Sequence, residues 1–535
     1  MKNELKAALA LSLLSVVGIQ SAYSLDAYTA ITRYKVLTNE QVKVEVSDSQ
    51  SAEYIEVDGS VANLVISSTN PQIKTLLIQG ELVDVSNLGN QSLKKDVKIA
   101  AGLNRITVVG LAADGKTVLS EKGLNVLSST SKYNVKSGAI SGKAVWKKSE
   151  GPYLVNGDLV VNPGAELQIE AGTTVYFSGH ARLTVNGKLK AEGTSTDWIY
   201  FTKLPEQGSE LWDGIHFFKT RDENHISYAW ITYGEIKDEG MVSNIDSRLV
   251  LENSVLGKTH QRKVVAMDAS TVIRNNLFMS PFSKNEAPMV GFDSEHIKAK
   301  HVPLWGELNV ENNIFEKLKG YNDAIDYSVE PYLFFTPKLK PTEVENNPVF
   351  HFNAFLGGGD DGIDLDSNAL VDSNFFTGFN KDQWNVSAGE SNAISTGKKH
   401  SIVVTNNVFY KMEHLATLKA DGFMTFTNNT VVDVQVALAL YNPEKGRQGY
   451  GKGLAVKNNL FFNTPEIIKY AKRGLDITAS YNFGQLEQLS PYGKNNIDSA
   501  NVDPSFVDYS NQNFTLKPTS SLLGKGDNGK KLGSN

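Results

Sequence analysis

The stretch G-G-G-D-D-G-I-D-L-D-S-N, Gly357 to Asn368, places four carboxylates within seven residues. Asp360, Asp364 and Asp366 share one parity, while Ile363 and Leu365 share the other. Side chains of a strand alternate between its two faces, so the aliphatics enter a core and the acids project from the opposite side. A related segment, N-D-A-I-D-Y, carries Asp323 and Asp326 around Ile325. Like charges facing each other on neighbouring strands repel, by about 4 kcal/mol at 4 Å for an effective dielectric near 20. Protonating one carboxyl or binding a cation relieves that repulsion. Oxygen-only donors, with no Cys in the chain, suit a hard cation, and Ca²⁺ is the expected ion for Asp323, Asp326, Asp360, Asp361, Asp364 and Asp366. A cap of Asp-rich turns bonded to backbone N–H groups is the structural alternative. The EF-hand loop is excluded, since D-D-G-I-D-L-D lacks its spacing and distal Glu.

An acidic row does chemistry only if the chain stacks one such segment on another. From Leu25 to about Thr130, short alternating runs such as V-K-V-E-V and N-R-I-T-V-V-G-L predict a small antiparallel β-sandwich. The polar piece 131–141 reads as a linker. From 142 to 535 short strands are punctuated by Gly, Pro and Asn, and R-N-N-L-F, E-N-N-I-F, T-N-N-V-F, T-N-N-T-V and K-N-N-L-F recur. Asn407 and Asn429 lie 22 residues apart, and so do Asn253 and Asn275. Repeats of that length built from strands and turns predict a solenoid, with the Asn amides forming a ladder at equivalent turns. The expected class is all-β, a right-handed parallel β-helix preceded by an N-terminal β-sandwich.

Matching the inward aliphatics Ile325, Ile363, Ile394, Leu418 and Leu440 gives an expected outward column of Asp326, Asp364, Ser395, Lys419 and Tyr441. Neighbouring members are about 5 Å apart, so Lys419 stands roughly 10 Å from Asp364. The third coil needs an insertion that carries Trp384, a ring able to stack on a sugar. Lys398 and Lys399 in S-T-G-K-K-H compete with Lys419, and Tyr441 and Arg447 are candidate helpers.

The region from Gly142 onward resembles the parallel β-helices of secreted pectin-, alginate- and chondroitin-degrading proteins and their uncharacterised bacterial relatives. The piece K-K-D-V-K-I-A-A-G-L-N-R-I-T-V-V-G-L-A-A-D-G-K resembles immunoglobulin-like accessory modules. Likeness to calcium-dependent pectate lyases implies an aspartate cluster holding Ca²⁺ and a lysine base, carried here onto Asp326, Asp360, Asp361, Asp364 and Lys419. That reading gives β-elimination on a uronic-acid polysaccharide. N-D-A-I-D and G-D-D-G-I-D also resemble the paired acids of polygalacturonases, which implies inverting hydrolysis. A non-catalytic polysaccharide-binding surface protein is the third reading.

Bulk properties bound the rest. M-K-N-E-L-K followed by an apolar run, with Ala22 and Ser24, reads as a secretory signal peptide over 1–24, so export is expected. Net charge is −6 with no long basic run, which argues against nucleic acid as a partner. An acidic polysaccharide is the expected partner of a monomer with no membrane span.

Overall fold

The computed structural model describes residues 26–39, 41–46, 54–89, 91–129, 132–208, 210–236, 239–280, 295–318, 320, 322–329, 346–381, 391–441 and 449–534. The stretch read as a signal peptide, Trp384 and Arg447 lie outside them. No described helix is long and apolar enough to cross a membrane. The chain forms two compact units, Thr32–Gly234 with Leu249–Leu256, and Leu25–Ile31 with Glu235–Arg248 and Gly257–Asn535.

The first unit holds two antiparallel-rich sheets and a set of parallel coils. Strands Val42–Val46, Val61–Ser68 and Leu93–Lys98 form one sheet. Ile55–Val57, Val118–Ser128, Gly102–Leu111, Thr75–Ile78 and Glu81–Asp84 form the other. Alternation puts Val42, Val44, Leu64 and Ile66 from the first against Leu76, Ile78, Ile106 and Val108 from the second, so the two sheets share one apolar core. A helix, Thr29–Thr38, precedes them where only strands were expected.

The first strand of the parallel coils is Asn134–Ile140, paired with Tyr153–Val161. This corrects the reading of 131–141 as a linker. Most of that strand's residues are exposed, so its polar composition hides its conformation. Tyr153–Val161 pairs in turn with Thr174–Phe177 and Arg182–Val185, while Lys143–Trp146, Glu166–Ile169, Lys188–Glu192 and Glu223–Ser227 stack on a second face.

In the second unit each coil contributes short parallel strands, and the fold is a parallel β-helix. One face stacks Val264–Met267, Ile297–Lys300, Ile325–Ser328, Asp361–Asp366, Asn392–Thr396, Val408–Leu418, Thr430–Ala439 and Glu466–Lys469. Two devices hold the coils in register. Phe278, Phe315, Phe355, Phe376 and Phe409 form an internal stack with successive centroids 4.8, 4.8, 4.6 and 5.0 Å apart. At the corner, Asn276, Asn313, Asn353, Asn374, Asn407, Asn429, Asn459, Asn482 and Asn496 form an unbroken ladder. Each amide nitrogen and backbone N–H donates to the next Oδ1, as in Asn407 to Asn429 at 3.1 and 2.9 Å. Each N-N pair divides the labour: Asn275, Asn312, Asn406, Asn428 and Asn458 adopt positive φ, and the second Asn makes the rung.

Candidate functional site

The acidic residues come together in the second unit, and the glycines show why. A Cβ on Gly359 would lie 2.1 Å from the Gly320 carbonyl oxygen of the preceding coil. One on Gly362 would lie 2.6 Å from the Ala393 carbonyl oxygen of the next. The Gly-rich run therefore lets backbones close up around the acids, and G-D-D-G is a packing solution as much as a charge cluster.

Strand register pairs Asp326 with Asp364, and Asp364 with Ser395. Beyond Ser395 the expected column is wrong by two residues. Ile394 faces Ala416, not Leu418, and the next step, from Ala416 to Leu438, keeps the expected offset and carries the slip on. The outward column therefore runs Lys298, Asp326, Asp364, Ser395, Thr417, Ala439 and Lys469. Lys419 and Tyr441 are not members. The cause is the continuous strand Val408–Leu418, which turns the Asn407 corner directly into the site face and shortens the count.

Lys419 still reaches the acids, by another route. Its backbone N–H donates to the Thr396 carbonyl, which sets it beside Gly397. A Cβ on Gly397 would stand 3.2 Å from Lys419 Cγ, so the missing side chain is the channel through which the lysine passes. The residue is only 8% exposed. Burial disfavours its charge, but attraction from Asp364, Asp361, Asp366 and Asp323 outweighs that and raises its pKa above the ordinary lysine value. Among these acids Lys419 is an ammonium.

Among the described residues, the acids that converge as a group of three do not include Asp326 or Asp364. Asp323, Asp360 and Asp361 each bring one carboxylate oxygen within 4.8 Å of the others. Asp323 and Asp360 precede the strands of this face, where strict alternation does not apply, and Asp361 opens the strand Asp361–Asp366. Asp361 is 2% exposed and is pushed up to about 7 by burial and by Asp360 and Asp364, with Lys419 and Asn392 pulling the other way. Asp323 is raised well above the ordinary range by burial, then by Asp361, Asp364, Asp360 and Glu295. Asn392 orients Asp361: its Nδ2 and backbone N–H donate to Asp361 Oδ1 at 2.8 and 3.3 Å. Thr417 Oγ1 donates to Asn392 Oδ1 at 2.7 Å and so fixes the amide. Asp323 Oδ1 accepts the Asp361 backbone N–H at 2.9 Å. Asp364 Oδ1 is buried and has no hydrogen-bond partner among the described residues.

Two expected ligands are already paired with cations. Asp326 forms an ion pair with Lys298, and Asp366 with Lys398 at 2.7 Å. Lys399 is exposed, with its backbone N–H on the Ala420 carbonyl. Tyr441 stacks on Tyr450 and meets Tyr470 edge-on. Sequence reading missed Lys298, Glu295, Asn392 and Thr417. Burial lowers the pKa of Lys298, and Glu295 pairs with Arg262 at 2.9 Å beside the acids. The coil bearing Lys298 and Glu295 follows residues 281–294, which break the count from the Asn276 corner.

No known protein family matches the chain. A 103-residue stretch is 36% identical to Protein bark beetle of Drosophila melanogaster, covering 17% of this chain and 3% of that protein's length. Among solved structures the chain is similar to the catalytic domain of a GH87 alpha-1,3-glucanase variant in complex with tetrasaccharides. That likeness has 12% identity and a TM-score of 0.34, over 87% of this chain and 90% of the other. Likenesses of this size carry no functional argument, so the site's own geometry must supply one.

Proposed function

We propose that the acidic wall binds a hard divalent cation and acts on a uronic-acid polysaccharide by β-elimination. The observation that carries this reading is that Lys419 passes over Gly397 into the field of Asp323, Asp361 and Asp364. Asp323, Asp360 and Asp361 are the residues that would hold Ca²⁺, an all-oxygen donor set of the right closeness. A bound Ca²⁺ supplies Lewis acidity that offsets the negative charge of a sugar carboxylate.

Two of the carboxylates that hold Lys419 as an ammonium, Asp361 and Asp323, belong to the set that would hold the cation. A cation held there would offset part of that field, and burial, which already opposes the charge on Lys419, would then favour the free amine. That amine takes the proton α to the sugar carboxylate. The freed electron pair forms the carbon–carbon double bond, the glycosidic bond to the leaving oxygen breaks, and that oxygen takes a proton from water. Asn392 and Thr417 hold Asp361 in place throughout.

Hydrolysis is the second reading, favoured by one feature: Asp361, pushed up to about 7, holds its proton in about half of the molecules at neutral pH, as a general acid can use. The spacing of Asp323, Asp360 and Asp361, under 4.8 Å, is tighter than the roughly 6.5–9.5 Å that inversion uses. The discriminating experiment incubates the protein with pectate, alginate and glycosaminoglycans, with calcium and then with chelator. A calcium-dependent ultraviolet-absorbing unsaturated product supports elimination. New reducing ends without that absorbance establish hydrolysis, and neither product on any substrate rejects both.

A further inference from the structure

Four coils beyond Asp364, about 19 Å along the same outward column, the wall changes sign and texture. Lys469 occupies the column there. Beside it Tyr441 stacks on Tyr450 with centroids 4.5 Å apart and planes 17° apart, and Tyr470 meets Tyr441 edge-on at 6.0 Å. Lys472 Nζ stands 3.5 Å from the Tyr450 ring centroid, and Lys469 Nζ stands 5.3 Å from that of Tyr470. Lys469 also pairs with Glu466 at 2.9 Å. The cluster is tied to the acidic end through the backbone, since Lys419 and Tyr450 form a bridge and the Asp421 N–H donates to the Tyr450 carbonyl at 2.8 Å.

We infer that Tyr441, Tyr450, Tyr470, Lys469 and Lys472 form a second, cation-independent subsite for an acidic saccharide, with rings for the sugar face and ammonium groups for its carboxylate. Half-exposed tyrosines offer a large apolar face with a polar edge, which suits a pyranose ring. An ammonium lying over a ring at an exposed site is held weakly, by about 0.5–1 kcal/mol, so a carboxylate displaces it readily. Lys472 is exposed and available for that exchange. The inference rests on the proposed function for its ligand class and adds a polarity to it. One end of the wall meets carboxylates through a metal ion, and the other meets them through lysines.

The test is calorimetric titration of the full chain with short and long oligogalacturonates in the presence of chelator, where turnover by a calcium-dependent lyase is blocked. Wild type is expected to bind, with affinity falling as salt rises. Lys469→Ala/Lys472→Ala and Tyr441→Ala should each weaken binding by about tenfold or more, with melting temperatures confirming folded protein. Neutral cello-oligosaccharides should not bind. No binding under chelator, or unchanged affinity in folded variants, overturns the subsite. Binding under chelator together with no turnover of any polyuronate keeps the subsite and rejects the lyase. Turnover with calcium but no binding under chelator does the reverse.

Discussion

Two columns of the same solenoid stack similar side chains, with opposite results. The asparagine corner repeats one amide over nine coils, and every rung is satisfied, because an amide both donates and accepts. The aspartate wall stacks carboxylates at the same coil spacing, and an ionised carboxylate only accepts. Its members must borrow donors: Asp361 from Asn392, Asp326 from Lys298, Asp366 from Lys398. What remains unanswered is kept as protons on Asp361 and Asp323 and as the positive charge on Lys419. Repetition of a side chain builds structure when the group is self-complementary and a reactive site when it is not.

That contrast can be broken from the acidic side first. Lys419→Met or Asp361→Ala should reduce product formation on the responsive polyuronate by about 10²–10⁴-fold, measured as initial rates at saturating calcium. Next is the ladder. Asn407→Asp puts a carboxylate where Asn407 Nδ2 now donates to Asn429, Val371 and Thr405, and should cost about 3–5 kcal/mol in urea unfolding.

Asp361→Asn converts one acid into a rung of the other kind and should raise the melting temperature by a few degrees, about 1 kcal/mol or somewhat more. It should also flatten a pH slope. Asp361 holds its proton more tightly in the folded chain than in the unfolded one, where an Asp titrates near 4. The folded state therefore binds more protons between about pH 4 and pH 7, so stability falls as pH rises through that window and levels off above it. Denaturant midpoints at intervals across the window would show the slope in wild type and its reduction in the variant.

The smallest effect comes from a column where the problem is solved with a cation. His225 accepts a place between Glu192 at 2.7 Å and Glu252 at 2.9 Å on neighbouring coils. Burial opposes its charge, yet the hydrogen bonds its ring donates to the two carboxylates win and raise its pKa. Its stabilisation is present below the ordinary histidine value and is lost as pH rises through the raised one. The pair is partly solvated, so His225→Gln should cost well under about 1 kcal/mol, seen only on the acidic side of a melting-temperature profile.

The fold was legible because its signals are local. Asn-Asn before an aliphatic or aromatic residue marks a corner that needs one positive φ and one amide rung, and both demands fall on adjacent residues. The pairing of Asp326 with Asp364 followed from matching Ile325 to Ile363. Register failed where a count had to cross a corner of variable length, as between Asn407 and Ala416. Parity failed at Asp323 and Asp360, which lie before their strands and do not alternate with them, while Asp361 is buried like Ile363, whose parity it shares. Lys298 was invisible because its partner is set by stacking across a break in the repeat, a relation that no spacing in the chain records.

The phenylalanine stack has a consequence for the acids outside it. Rings in face contact fix an axial period of 4.6–5.0 Å, and strand pairing independently demands nearly the same one. With the pitch clamped twice, the coils cannot spread apart to dilute the repulsion between Asp326 and Asp364 or around Asp361. The interior thus acts as a rigid spring pressing on the exterior, and the wall can discharge its excess negative charge only by chemistry: gaining a proton, an ammonium or an ion.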